Sequence, residues 1–182
     1  MTGEVLVAFG TRHESTRSIA AAVTEVLRAA GIPVEFGAVD AVGDLGHVRA
    51  AVLGSVVYGG GWLPGAHGFL AAHERELAAI PTWLFASGPL DQVPAGETAD
   101  LPDDLVELIG RIGPRDVALF AGSVQPHHLA FGMRLLSKLA RTNVGDHRDW
   151  VAIERWANSI RDALLAERPA VAVMKGGPAG VA

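Results

Sequence analysis

The sequence predicts an α/β fold, a three-layer sandwich with a five-stranded parallel sheet in the order 2-1-3-4-5 and helices on both faces. Two observations carry this. Short runs of β-branched and apolar residues alternate with segments whose apolar residues recur every three or four positions, the pattern of parallel strands joined by helices. Right-handed crossovers then leave few ways to arrange five such units.

The elements follow in order. "EVLVAF" (Glu4 to Phe9) is an apolar run, and it leads into a helix from about Ser15 to Ala30, with Ile19, Val23, Val26 and Leu27 on one face and Gly31 as the stop. "PVEFGAV" alternates and predicts a less buried, edge-like strand, whereas "AAVLGSVV" (Ala50 to Val57) is continuous and apolar, like a strand covered on both faces. A helix follows from about Ala66 to Ala79, then the strand "TWLFASG" (Thr82 to Gly88), then a short helix in "LPDDLVELIGRI" with Asp103 or Asp104 near its start. "DVALFAG" (Asp116 to Gly122) is the fifth strand. An amphipathic helix from about Asp149 to Ala166 uses Val151, Ile153, Trp156, Ile160 and Leu164, with Asp149 near the N-cap and Trp150 packing beneath the first turn.

Two segments exceed this frame. "SVQPHHLAFGMRLLSKLARTNVGDHR" is too long for a simple connection and reads as an insert over about 123–148. "ERPAVAVMKGGPAGVA" is rich in Gly, Pro and Ala, and predicts a flexible tail over 167–182 after a single domain of residues 1–166.

Composition narrows the function. The chain has 182 residues, 49% hydrophobic and 19% charged, which is a globular balance. A net charge of -5 argues against a nucleic-acid partner, because phosphate backbones are bound by clustered Lys and Arg. With no cysteine, disulfides, thiolate metal sites and a cysteine nucleophile are excluded. The N-terminus lacks a basic region before its short apolar run, and the longest weakly polar run, "AVLGSVVYGGGWL", is shorter than the roughly 18 residues of a membrane span. The expectation is a cytoplasmic protein.

In an open parallel sheet, ligands bind beyond the carboxyl ends of the strands beside the point where strand order reverses. The segments there are Gly10 to Thr16, Ser55 to Trp62, and Ser87 to Leu90. Thr11-Arg12-His13-Glu14 has the Thr-x-x-Glu spacing of a capping box, which would occupy the free N–H groups of the helix start. "YGGGW" pairs two aromatics, Tyr58 and Trp62, with glycines that permit close backbone approach. Its plainer reading is a loop whose aromatics pack on the next helix. "SGPL" is tight enough for backbone hydrogen bonds to a flat ligand, and equally a simple turn.

"GTRHESTRSIA", "AVLGSVVYGGGWLPGAHGFL", "PTWLFASGPL" and "GDHRDWVAIERWANSI" together resemble the flavodoxin-like family, and more narrowly its menaquinone-dependent protoporphyrinogen oxidases and bacterial flavodoxin-domain relatives. The resemblance covers roughly residues 4 to 166, the insert included. It implies FMN as cofactor. The phosphate would lie on the loop of Thr11, Arg12, His13, Ser15 and Thr16. Tyr58, Gly59 and Trp62 would flank the flavin ring on one side, and Ser87, Gly88 and Pro89 on the other. A helix N-terminus suits such an anion through its free N–H groups and dipole.

One residue departs from that pattern: Glu14 stands where relatives usually have glycine. A carboxylate about 4 Å from a phosphate charge opposes binding by roughly 4 kcal/mol at an effective dielectric near 20. Arg12, His13 or Arg17 could compensate by pairing with it. The resemblance therefore implies an FMN-dependent oxidoreductase, oxidising a porphyrinogen-like or other small-molecule substrate and passing electrons to a quinone. The alternatives are a flavodoxin-fold interaction module that has lost FMN through Glu14, and a simple electron-transfer carrier. His127, His128 and His13 lack the spacing of a metal site, so no metal is expected. Residues 128–141 form a basic amphipathic stretch that could touch a membrane surface, although such stripes are more often solvated faces.

Overall fold

The computed structural model describes residues 3–10, 14–58, 61–88, 102–121, 123–124, 145–146 and 148–167. Strands β1 (Glu4–Gly10), β2 (Val34–Ala38), β3 (Val48–Tyr58), β5 (Thr82–Gly88) and β6 (Asp116–Ala121) form a parallel sheet in the order β2-β1-β3-β5-β6. Counting these five alone, that is the expected 2-1-3-4-5. A two-residue strand, β4 (Gly61–Trp62), folds back antiparallel on the end of β3, and β7 (Ser123–Val124) pairs antiparallel with β8 (Gly145–Asp146).

Side chains alternate across each strand, so each strand feeds two cores. Val5, Val7 and Phe9 of β1, Ala50 and Val52 of β3, and Trp83 and Phe85 of β5 meet helices α1 (Glu14–Ala29) and α5 (Trp150–Ala166). Leu6, Ala8, Ala51, Leu53 and Leu84 face the other way, onto α2 (Pro64–Ala72), α3 (Glu74–Ala78) and α4 (Asp103–Ile112). Residues 5–9 of β1, 50–56 of β3 and all of β5 are buried, as continuous apolar runs require, whereas every residue of β2 at the sheet edge is half-buried.

Three differences from the sequence reading have local causes. The helix expected over 66–79 starts at Pro64, whose fixed φ suits a first turn, and divides at His73, where φ -112° and ψ 21° leave the helical range. Val151 is 66% exposed. It precedes Ile153 by two positions, half a helical turn away, and so faces solvent while Ile153, Trp156, Ile160 and Leu164 are buried. Trp150 does not pack beneath the helix: it is 42% exposed and lies under the guanidinium of Arg148. Asp149 is the N-cap as expected, its carboxylate accepting from Ala152 N–H at 3.0 Å.

Phe85, with no exposed surface, meets Trp156 edge-on at a centroid separation of 5.8 Å. The indole N–H of Trp156 donates to Asp116 at 2.7 Å, which fastens α5 to the start of β6. The insert residues 125–144 and the tail 168–182 lie outside the described residues, and with them the expected membrane-facing stretch and His127 and His128. Among the described residues, no helix is long and apolar enough to cross a membrane.

Candidate functional site

The register brings the expected segments together. Gly10 of β1 pairs with Ser55 of β3, and Val56 of β3 with Ser87 of β5, so the three strand ends lie side by side on the carboxyl edge, with β3 running on to Tyr58. Helix α1 begins beside this edge. A Cβ on Gly10 would come within 2.6 Å of Ala66 Cβ, so only glycine lets the end of β1 approach α2 this closely. On β3, Ser55 is fully buried and its Oγ accepts from Leu63 N–H at 3.2 Å, setting where the chain turns from β4 into α2.

Thr16 and Ser87 come together directly. Their hydroxyls are 2.7 Å apart, and both residues are fully buried. The bond ties the first turn of α1 to the end of β5. These side chains therefore hold each other. Ser15 is buried to 7% exposure in the same turn. Intrahelical partners are lacking for the first N–H groups of any helix, which leaves the first turn of α1 able to bind an anion.

Glu14 is the first residue of α1, and its carboxylate is turned to solvent. It pairs with Arg17 at 3.0 Å, with side-chain exposures of 68% for Glu14 and 54% for Arg17. The capping box expected from Thr11 falls on a residue outside the described set, as do Arg12, His13, Gly59 and Pro89. Of Tyr58 only the backbone is described, in β3 opposite Gly61. Trp62 is 8% exposed and belongs to the core beside Ala66 and Phe69, the packing role that the plainer reading gave it. Gly88 closes β5 next to Val57, where a Cβ would meet the Val57 carbonyl oxygen at 3.5 Å in ordinary contact.

Sequence reasoning missed Ser18 and Arg148. Ser18 Oγ donates to the carbonyls of Glu14 and Ser15, each at 2.8 Å, and accepts from Arg148 Nη1. The guanidinium of Arg148 lies 4.5 Å from the ring centroid of Trp150, a cation–π contact that fixes its plane. No local pattern signals this tie, because its partners stand 130 positions apart.

The flavodoxin domain model matches residues 6–149, most of the chain and all of this edge. The chain belongs to the flavodoxin domain family. Solved structures with the same fold include the rubredoxin oxygen:oxidoreductase of the anaerobe Desulfovibrio gigas, 19% identical with a TM-score of 0.61, covering 90% of this chain and 36% of that one. A flavodoxin from Streptococcus pneumonia is 17% identical with a TM-score of 0.58, covering 90% of this chain and 99% of that one. A flavodoxin from the domain Archaea is 13% identical with a TM-score of 0.56, covering 89% and 99% respectively. No curated protein sequence matches this flavodoxin-domain chain. The chain thus spans about a third of the oxidoreductase and nearly the whole of the two flavodoxins.

Proposed function

We propose that this flavodoxin-domain protein binds FMN at the carboxyl edge of β1, β3 and β5 and acts in electron transfer. The observation that carries the reading is Glu14. Its pairing with Arg17 at 3.0 Å turns the one carboxylate of the first turn of α1 away from the anion position. The edge fits the cofactor in other respects. The first-turn N–H groups of Ser15, Thr16 and Arg17 suit its phosphate. The backbone of Val56 to Tyr58 and of Ser87 and Gly88 forms two neighbouring strand ends against which a flat ring can lie.

Bound there, FMN would supply one- or two-electron redox chemistry. The chain's own residues would orient it. The Thr16–Ser87 bond holds the phosphate-binding turn at a fixed distance from the strand end beside the ring, and Ser55 holds the opposite wall through Leu63. The paired, exposed Glu14 speaks against the alternative of a module that has lost its flavin. The finer reading, oxidation of a porphyrinogen-like substrate with a quinone as acceptor, rests on the sequence resemblance of the segments quoted above and on the insert.

Anaerobic reduction of the FMN-loaded protein, followed by mixing with a water-soluble menaquinone analogue, tests this reading. Rapid return of the oxidised flavin absorbance supports quinone-linked redox function. Protein that takes up no FMN refutes the proposal, and loaded protein that does not react with the quinone refutes its finer form.

A further inference from the structure

We infer that Glu4, Glu35 and His47 form a binding site for a divalent transition-metal ion of the zinc class, at the end of the sheet opposite the proposed FMN site. The inference stands apart from the FMN reading. Leu6 of β1 lies opposite Glu35 of β2, so Glu4, two residues before Leu6, points to the same face as Glu35. His47 immediately precedes β3, and its carbonyl accepts from Glu4 N–H at 3.3 Å, which holds this loop beside the start of β1. The imidazole Nε2 lies 2.8 Å from a Glu35 carboxylate oxygen. The Glu4 carboxylate is exposed and takes no hydrogen bond from a described residue. One donor atom from each of the three residues lies within 4.8 Å of the other two.

Two ligands bound tetrahedrally to one zinc ion stand about 3.4 Å apart. Rotation of the exposed Glu4 side chain reaches that spacing without moving the backbone. The metal takes the place of the proton between His47 and Glu35, which leaves to solvent, and water completes the coordination. An imidazole with two carboxylates suits zinc, cobalt or nickel, whereas magnesium and calcium take oxygen ligands. Asp44 adds a further negative charge near the imidazole. Arg28 and Arg49 flank the cluster, donating to the carbonyls of Val34 at 2.9 Å and Gly3 at 3.1 Å, so charge alone gives a hard cation little hold and the imidazole decides the choice. Glu4 and Gly10 stand at the two ends of β1, about 20 Å apart, so the metal does not touch the flavin edge. It joins β1, the edge strand β2 and the entry to β3.

The test is calorimetric titration of zinc into the metal-free full chain, for wild type, Glu4→Gln and His47→Gln, at about pH 8 so that protons compete weakly for the imidazole. Thermal melts in zinc, magnesium and EDTA accompany it. The expected result is one zinc per chain, held at least about tenfold more weakly by either variant, since losing even a ligand's outer partner costs about 10–100-fold. Zinc should raise the melting temperature of wild type and leave both variants nearly where EDTA leaves them, because an ion that binds only the folded chain stabilises it. Magnesium at the same concentration should do neither. Glu4→Gln leaves the His47–Glu35 bond intact and should melt like wild type in EDTA, so its loss of zinc reports the site and not the fold. No zinc binding by wild type, zinc affinity unchanged in either variant, or equal stabilisation by magnesium would each overturn the inference.

Discussion

Replacing Thr16 by Val and Ser87 by Ala, singly and together, probes the bond that joins the two halves of the site. Both residues are fully buried, and the bond between their hydroxyls is 2.7 Å long. Thr16→Val keeps the side-chain shape but leaves the Ser87 hydroxyl buried with no partner in the described structure. Ser87→Ala leaves that of Thr16 in the same state. Each single change is expected to cost about 1–3 kcal/mol, because a stranded buried hydroxyl loses its water without gaining a protein partner. In the double variant no hydroxyl is stranded. Its loss should fall short of the sum of the singles by about 1 kcal/mol or more. Urea denaturation measures this, provided the slope with denaturant is unchanged across the four proteins. Losses that add to within about 0.5 kcal/mol would show the two hydroxyls to be energetically independent and would refute the reasoning.

Gly54→Ala would place a Cβ 2.0 Å from Phe85 Cζ; overpacking of this kind should lower stability by about 1–3 kcal/mol in thermal melts, with part recovered when Phe85→Leu is added. Glu14→Gln should change FMN affinity by less than about threefold, because an exposed, paired carboxylate is screened; tight binding that appears only in the variant would revive the closed-loop reading. His47 should titrate above its ordinary 6.5, raised first by its hydrogen bond to Glu35 and further by the charges of Glu35, Glu4 and Asp44, which together outweigh the opposing effect of burial. The stability it contributes is then fully present below about pH 6.5 and is lost as pH rises through the folded-state value; an NMR titration locates that value, and His47→Gln should flatten stability against pH across the same window.

Most of the fold was legible because each element announces itself locally. "AAVLGSVV" has no charged residue and only one serine among its apolar residues, and so places itself in the sheet centre. Ile19, Val23 and Leu27 mark the buried face of α1. The break at His73 was not legible, since neither Gly nor Pro stands there to signal it. Nor was Val151, which looks apolar and in phase until helical geometry turns it half a revolution from Ile153. At the site, the resemblance placed Thr16 at the phosphate and Ser87 beside the flavin ring, and the structure joins them through their hydroxyls. Ser18 and Arg148 were invisible because a contact across 130 residues leaves no periodic trace. The direction of Glu14 depended on which of three nearby cations it chose, and spacing alone favours none; Arg17, three residues on, shares its helix face.

The central claim is that the carboxyl edge of this sheet is an FMN site despite Glu14, and an FMN titration of the purified protein followed by flavin fluorescence tests it most directly. The account predicts saturable quenching with one FMN per chain, competed by inorganic phosphate at high concentration. Fluorescence that stays at the level of free FMN throughout the titration would contradict it, and would leave this chain with the fold of its family but not its cofactor.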